Sequence, residues 1–186
     1  MPDASRDAIT STGRNPFCPI RPSCPVNRTV ERTLVLFKPD TIQRGLSGRI
    51  LARFEEKGLK MIGLKLRQFS KETIQQHYEV HKERPFYANL VSYMTSGAVV
   101  ALALEGLDAI AVVRLMVGAT NSREAAPGTI RGDFGMSFSN NLVHASDSPE
   151  AAATELALFF PDAPEIVEWT PNNEPWIYNV GEELNK

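Results

Sequence analysis

Asn141-Leu-Val-His-Ala-Ser-Asp-Ser-Pro149 packs an extended run, a break and a helix start into one short stretch. Asn141-Leu-Val-His144 reads as a strand. Ser148 reads as a helix N-cap, because its hydroxyl can accept from first-turn N–H groups, and Pro149 suits the first helical position, where no N–H is needed. The helix is expected to run through Phe160. His144 therefore stands where a strand ends and a capped helix is about to begin, a junction that lifts a side chain above the sheet beside free backbone donors. A neutral imidazole, with an ordinary pKa of about 6.5, is a competent nucleophile at neutral pH once a partner on its other nitrogen fixes the tautomer. Glu155, roughly two turns into the following helix, is the expected partner.

Working outward, the chain alternates between period-2 and period-3.6 patterns. Thr33-Leu-Val-Leu-Phe37 is a β-rich run stopped by Lys38-Pro39-Asp40, since proline cannot donate to a ladder. Leu46, Ile50, Leu51 and Phe54 share one helical face, with Gly58 as the C-terminal stop. Ile62, Leu64 and Leu66 alternate with polar residues and predict the inner face of a half-buried strand. Ser70 caps a helix to about His81, and Pro85 opens a second one carrying Phe86, Leu90, Val91 and Met94. Ala98–Leu104 predicts a strand buried on both faces, and Leu107–Val117 a helix ended by Gly118. Residues 119–140 form a long polar connection, a length that usually marks function. The order β-α-β-α-α-β-α-loop-β-α predicts a small sheet covered by helices, an α/β (α+β) sandwich.

The 186 residues, formally −2 in charge, fit one compact domain. Residues 1–29 hold five of the 13 prolines and no periodic apolar pattern, so they are expected to be a disordered extension without a secretory signal. Their four arginines against two aspartates leave the remainder with 16 basic and 20 acidic residues. A mildly acidic domain is no general nucleic-acid binder, and no run approaches the roughly 20 apolar residues of a membrane span. Cys18 and Cys24, with no histidine nearby, suit neither a zinc site nor a disulfide framework. Phosphate loops of the GxxxxGK[ST] type, GxGxxG, GxSxG and HExxH are all missing. His77 and His81, four apart on a polar helix, read as a solvated pair. Lys38, Arg114 and Arg131 each read singly as surface charges, yet together would suit anion capture. Phe86 reads as core or as a flat face for a base.

Lys38-Pro39-Asp40, Arg84-Pro85-Phe86, Pro127-Gly-Thr-Ile-Arg-Gly-Asp133 and Asn141-x-x-His144-Ala-Ser146-Asp147 occur in an order and spacing that resemble the nucleoside diphosphate kinase family. The resemblance runs from Glu31 to about Tyr178. It implies a ferredoxin-like βαββαβ fold with a four-stranded antiparallel sheet, expected over residues 30–180 with a tail at 181–186. It implies transfer of the γ-phosphate of a nucleoside triphosphate, mainly ATP, to a diphosphate, in two steps through phosphohistidine at His144. By the same resemblance Glu155 and Ser146 orient that ring, whose attacking nitrogen is the one nearer the main chain. Lys38, Tyr78, Arg114, Thr120, Arg131 and Asn141 surround phosphates and sugar, and Phe86 stacks on the base beside Leu90. Mg²⁺ arrives on the nucleotide phosphates, with no protein residue assigned to it. A cytoplasmic homo-oligomer, hexamer or tetramer, is expected, with neither a membrane nor a specific nucleic acid as partner. A regulatory or protein-histidine-phosphotransfer protein on the same fold is the alternative. Two departures stand out: Thr41 follows Lys-Pro-Asp where the family usually has glycine, and Ser122 stands where proline is common. They imply an altered turn and a less rigid assembly loop.

Overall fold

A computed structural model describes residues 30–179; the expectations for residues 1–29 and 181–186 lie outside them. Four strands form one sheet: β1 (Val30–Phe37), β2 (Lys60–Arg67), β3 (Val99–Leu107) and β4 (Val143–Ala145). Their spatial order is β2-β3-β1-β4, and every neighbouring pair is antiparallel. That is the ferredoxin-like arrangement expected from the sequence. Between the strands run α1 (Pro39–Gln43), α2 (Ser47–Glu56), α3 (Lys71–His77), α4 (Tyr87–Met94), α5 (Ala109–Val117) and α6 (Ile130–Phe134); α7 (Pro149–Phe159) and α8 (Glu174–Ile177) follow the last strand. Among the described residues no helix is long and apolar enough to cross a membrane.

The central strands are apolar on both faces, so the sheet has a core on each side. Val35, Phe37, Leu102 and Leu104 pack with Ile50 and Phe54 of α2 and with Val113 and Val117 of α5. Leu34, Leu36, Ala101 and Ala103 pack with Ile74 of α3, Met94 of α4 and Phe159 of α7. The small alanines of β3 let these three helices close on the sheet. Gly58 ends the α2 turn with a φ of +94°, a conformation that favours glycine, as its position predicts.

Four expectations need correcting. The bulge at Ile62, between the pairs Met61–Leu104 and Gly63–Ala103, slips β2 by one residue. A one-residue slip exchanges the faces of a strand. Ile62 is buried, but Leu64 and Leu66 are 50% and 60% exposed. Lys38-Pro39-Asp40 does more than stop β1: Pro39 opens α1, where its missing N–H costs nothing. The connection 119–140 contains α6, nucleated by the Thr129 side chain accepting from Gly132 N. This helix is pinned to α2 by Arg53, whose Nη1 donates to Asp133 Oδ2 at 2.8 Å. The helix capped by Ser70 also stops at His77, with a single 3₁₀ turn at Glu79–His81 completing the stretch.

Ser148 caps α7 as expected, its Oγ accepting from Ala151 N at 3.1 Å. Replacing Ser148 with alanine should lower stability by about 1 kcal/mol. Urea unfolding of the two chains checks this; an unchanged midpoint would contradict the cap.

Candidate active site

β4 brings His144 next to β1, opposite Leu36, on the sheet face covered by α3 and α7. Glu155, on the second turn of α7, reaches back to it. His144 Nε2 meets Glu155 Oε1 at 2.9 Å, and Ser146 Oγ donates to Glu155 Oε2 at 2.5 Å. Ser146 is fully buried and is itself fixed because its Oγ accepts from Leu34 N. Burial acts to raise the Glu155 carboxyl, but the hydrogen bond and charge of His144, then the Ser146 hydroxyl, hold it below the usual carboxylate range. A charged carboxylate requires a donor, so the neutral ring carries its proton on Nε2. Nδ1, the nitrogen nearer the main chain, then keeps its lone pair.

The strand enters this site through a strained residue. Leu142 is buried with a φ of +71°, unusual for a side chain bearing a Cβ. Three contacts hold it there. Its N–H donates to Asp40 Oδ2 at 3.1 Å, and its carbonyl accepts from Lys38 N at 2.8 Å and from Thr41 Oγ1 at 2.6 Å. Strain of this kind, of order 1–3 kcal/mol, persists where the surroundings over-determine it. Thr41 therefore does not disturb the turn: it lies in α1 without positive φ, and its hydroxyl is one of the clamps. Ser122 is buried with an unpartnered hydroxyl.

The basic residues divide. Lys38 and Arg131 are buried, contrary to their reading as surface charges, because each is tied inward. Lys38 Nζ donates to Asn141 Oδ1 at 2.7 Å, and Asn141 Nδ2 donates to Thr120 O at 2.9 Å. Arg131 spends three donors on carbonyls: Nε to Asn141 O, Nη1 to Gly118 O and Nη2 to Val143 O. Both neighbours of the strained Leu142 are thus anchored by one guanidinium. Burial, then the charge of Arg131, pushes the Lys38 ammonium down to about 8. Burial, then Arg114, lowers Arg131 to about 10. Arg114 is exposed late in α5, with Nη1 near Ala145 O at 3.4 Å, and Thr120 is exposed. Lys38, Arg131, Asn141 and Thr120 are thus brought together beside β4, with Arg114 reaching the same strand.

Tyr78 is part of the core, its ring 6.2 Å from His144 and its hydroxyl enclosed without a partner, so burial raises its pKa. Phe86 is 46% exposed, 5.6 Å from the His81 ring, and Leu90 is half-buried. His77 overturns the solvated-pair reading. Its side chain is only 1% exposed, and its ring meets that of His144 edge-on at 4.5 Å. Burial, then His144, lowers it to about 3, so it is neutral. The missed signal was the stripe Ile74, His77, Tyr78 and His81, spaced i, i+3, i+4 and i+7, which marks an inward face. Asp40 was also missed as a clamp on Leu142, and nothing in its local sequence announces it.

Residues 31–164 match the family model described as nucleoside diphosphate kinase. A nucleoside diphosphate kinase of Archaeoglobus fulgidus is 54% identical over 149 residues, 80% of this chain and 98% of that protein. One of Synechococcus elongatus is 51% identical over the same length, 99% of its own. A solved halophilic nucleoside diphosphate kinase of Halobacterium salinarum, in complex with CDP, is 48% identical, with a TM-score of 0.77 over 80% of this chain and 98% of that one.

Two outcomes follow from the buried cations. Lys38 should titrate near pH 8 in side-chain NMR of the nucleotide-free chain, against an ordinary 10.5; a midpoint above 10 would contradict its burial. The unfolded chain then holds more protons than the folded one between those values, so this group makes stability rise with pH across that window. Arg131→Met should cost about 2 kcal/mol or more, because three carbonyls lose their donor, and urea unfolding reads it.

Proposed function

The chain belongs to the nucleoside diphosphate kinase family, and on that premise we propose that it moves the γ-phosphate of a nucleoside triphosphate to a nucleoside diphosphate through phosphohistidine at His144. The observation that carries the reading is the pairing of His144 Nε2 with Glu155, which keeps the Nδ1 lone pair available. In the first step Nδ1 bonds to the γ-phosphorus as the bond to the bridging oxygen breaks, and the diphosphate leaves with that electron pair. In the second, a terminal oxygen of another diphosphate attacks phosphorus and the pair returns to Nδ1. Glu155 balances the positive ring between the steps, and Ser146 keeps the carboxylate aimed.

Transfer of this kind depends on positioning and on neutralising charge at the phosphoryl oxygens. Lys38, Arg114 and Arg131 are the cations for that task, with Thr120 and Asn141 completing the phosphate and sugar contacts; Tyr78, its hydroxyl enclosed in the core, backs the His144 ring instead of touching phosphate. Phe86, partly exposed at the start of α4, suits stacking on a base, with Leu90 beside it. A π-face is common to all bases, so broad base tolerance is expected. The relative described in complex with CDP agrees with such a site. Mg²⁺ belongs to the substrate: it prefers phosphate oxygens and water, and arrives as the nucleotide complex.

A homo-oligomer, hexamer or tetramer, in the cytoplasm belongs to the same proposal. Its support is β2, an edge strand that presents Leu64 and Leu66 to solvent. The segment after α7 covers the start of that edge, with Val167 N donating to Ile62 O, whereas beyond Gly63 no further strand pairs with it among the described residues. Exposed apolar edges of this sort are sites of association.

The test is labelling with γ-³²P-ATP and Mg²⁺. An acid-labile, base-stable label should form and be chased off by any nucleoside diphosphate, and His144→Ala should abolish both events. Labelling of that variant would remove His144 from its role. A label that diphosphates cannot chase would favour transfer to protein instead.

A further inference from the structure

The proposed reaction leaves His77 without a task. Its side chain is shut from solvent, and neither ring nitrogen has a hydrogen-bond partner. An unpartnered buried polar group is costly. Its Nδ1 lies 3.7 Å from Glu155 Oε1, the same oxygen that His144 Nε2 meets at 2.9 Å. Among the described residues, His77, His144 and Glu155 are the group of side chains whose ligating atoms gather closely, all within 4.8 Å of one another.

We propose that His77, His144 and Glu155 form a two-histidine, one-carboxylate site that takes a transition-metal dication such as Zn²⁺ or Co²⁺ in the nucleotide-free protein, and that this ion blocks the phosphoryl carrier. The donor set selects the ion class. Imidazole nitrogens suit zinc, cobalt, nickel and copper, whereas Mg²⁺ favours oxygen ligands and retains its waters. The spacing fits as well. Metal–ligand bonds of about 2.0–2.1 Å in a tetrahedron place ligand atoms roughly 3.3 Å apart. The two separations from Glu155 Oε1, 2.9 and 3.7 Å, lie on either side of that value, and the ligating atoms of the three residues all stand within 4.8 Å of one another. Three protein donors leave the fourth tetrahedral position for a water molecule. The Lys38 charge acts at His77 and opposes any cation, so a metal held only by charge is disfavoured and nitrogen coordination must carry the affinity.

The inhibition has a simple chemical cause. A neutral imidazole coordinated through Nε2 carries its single proton on Nδ1, so the attacking nitrogen loses its lone pair. No bond is broken beyond this proton relocation and the loss of the contact between His144 and Glu155. Blocking rests on His144 being the carrier; metal binding does not.

Co²⁺ alone, titrated into the full nucleotide-free chain and followed by its visible d–d absorption, should bind one to one. His77→Gln should weaken that binding at least roughly tenfold, while His81→Gln leaves it unchanged. Without any variant, added Zn²⁺ should shift the ring ¹⁵N signals of His77 and His144 and not those of His81. Zn²⁺ should slow labelling by γ-³²P-ATP and excess Mg²⁺ in the parent chain and in His81→Gln, and lose most of that effect in His77→Gln. Absence of a cobalt band in a chain that labels normally would overturn the site, as would equal affinity in His77→Gln or movement of the His81 signals alone. A cobalt band in a chain that never labels would leave the metal site standing and remove the carrier reading.

Discussion

A carboxylate cannot sit largely out of water without partners, and Glu155 has two that decide the site. Ser146 occupies one oxygen and His144 the other. Because Ser146 is locked to Leu34 of β1, the carboxylate is referenced to the sheet rather than to the loop. Burial alone would favour protonation of Glu155, yet the charge-assisted hydrogen bonds outweigh it. The consequence is a chosen tautomer. The ring holds its proton towards α7 and its lone pair on the opposite nitrogen.

The same logic explains why cations are buried in a mildly acidic domain. β4 enters the sheet through Leu142 in a left-handed conformation, with Asp40, Thr41, Lys38 and Arg131 all contributing to the turn around it. Lys38 and Arg131 are therefore structural before they meet any phosphate. A depressed Lys38 pKa reflects that burial, and an incoming phosphate would restore its preference for the charged form. Under the proposed reaction, folding and anion capture would use the same side chains, so substitutions at Lys38 or Arg131 would act on both.

Much of this was legible in the sequence where one residue type has one local job. Ser148 with Pro149 marked the start of α7, Gly58 the end of α2, and the unbroken apolar run Ala98–Leu104 the buried central strand, which in the structure continues to Leu107. The His144 junction and Glu155 were readable from chain position. What escaped depended on distant contacts. The bulge at Ile62 turns Leu64 and Leu66 outward, and no local pattern encodes that slip. Lys38 and Arg131 look like solvated charges until Asn141 and three carbonyls are placed against them. His77 was misread because two histidines on a polar helix suggest solvent, while the apolar stripe through Ile74 points inward.

The position of phosphorus on the imidazole tests the central claim most directly. With ¹⁵N-histidine incorporated, the full chain is phosphorylated from ATP and the ³¹P–¹⁵N coupling at His144 is read by NMR. Phosphorus bonded to Nδ1, with Nε2 still protonated towards Glu155, is the result expected here. Phosphorus on Nε2 would contradict it, because the contact with Glu155 would then leave the attacking nitrogen blocked.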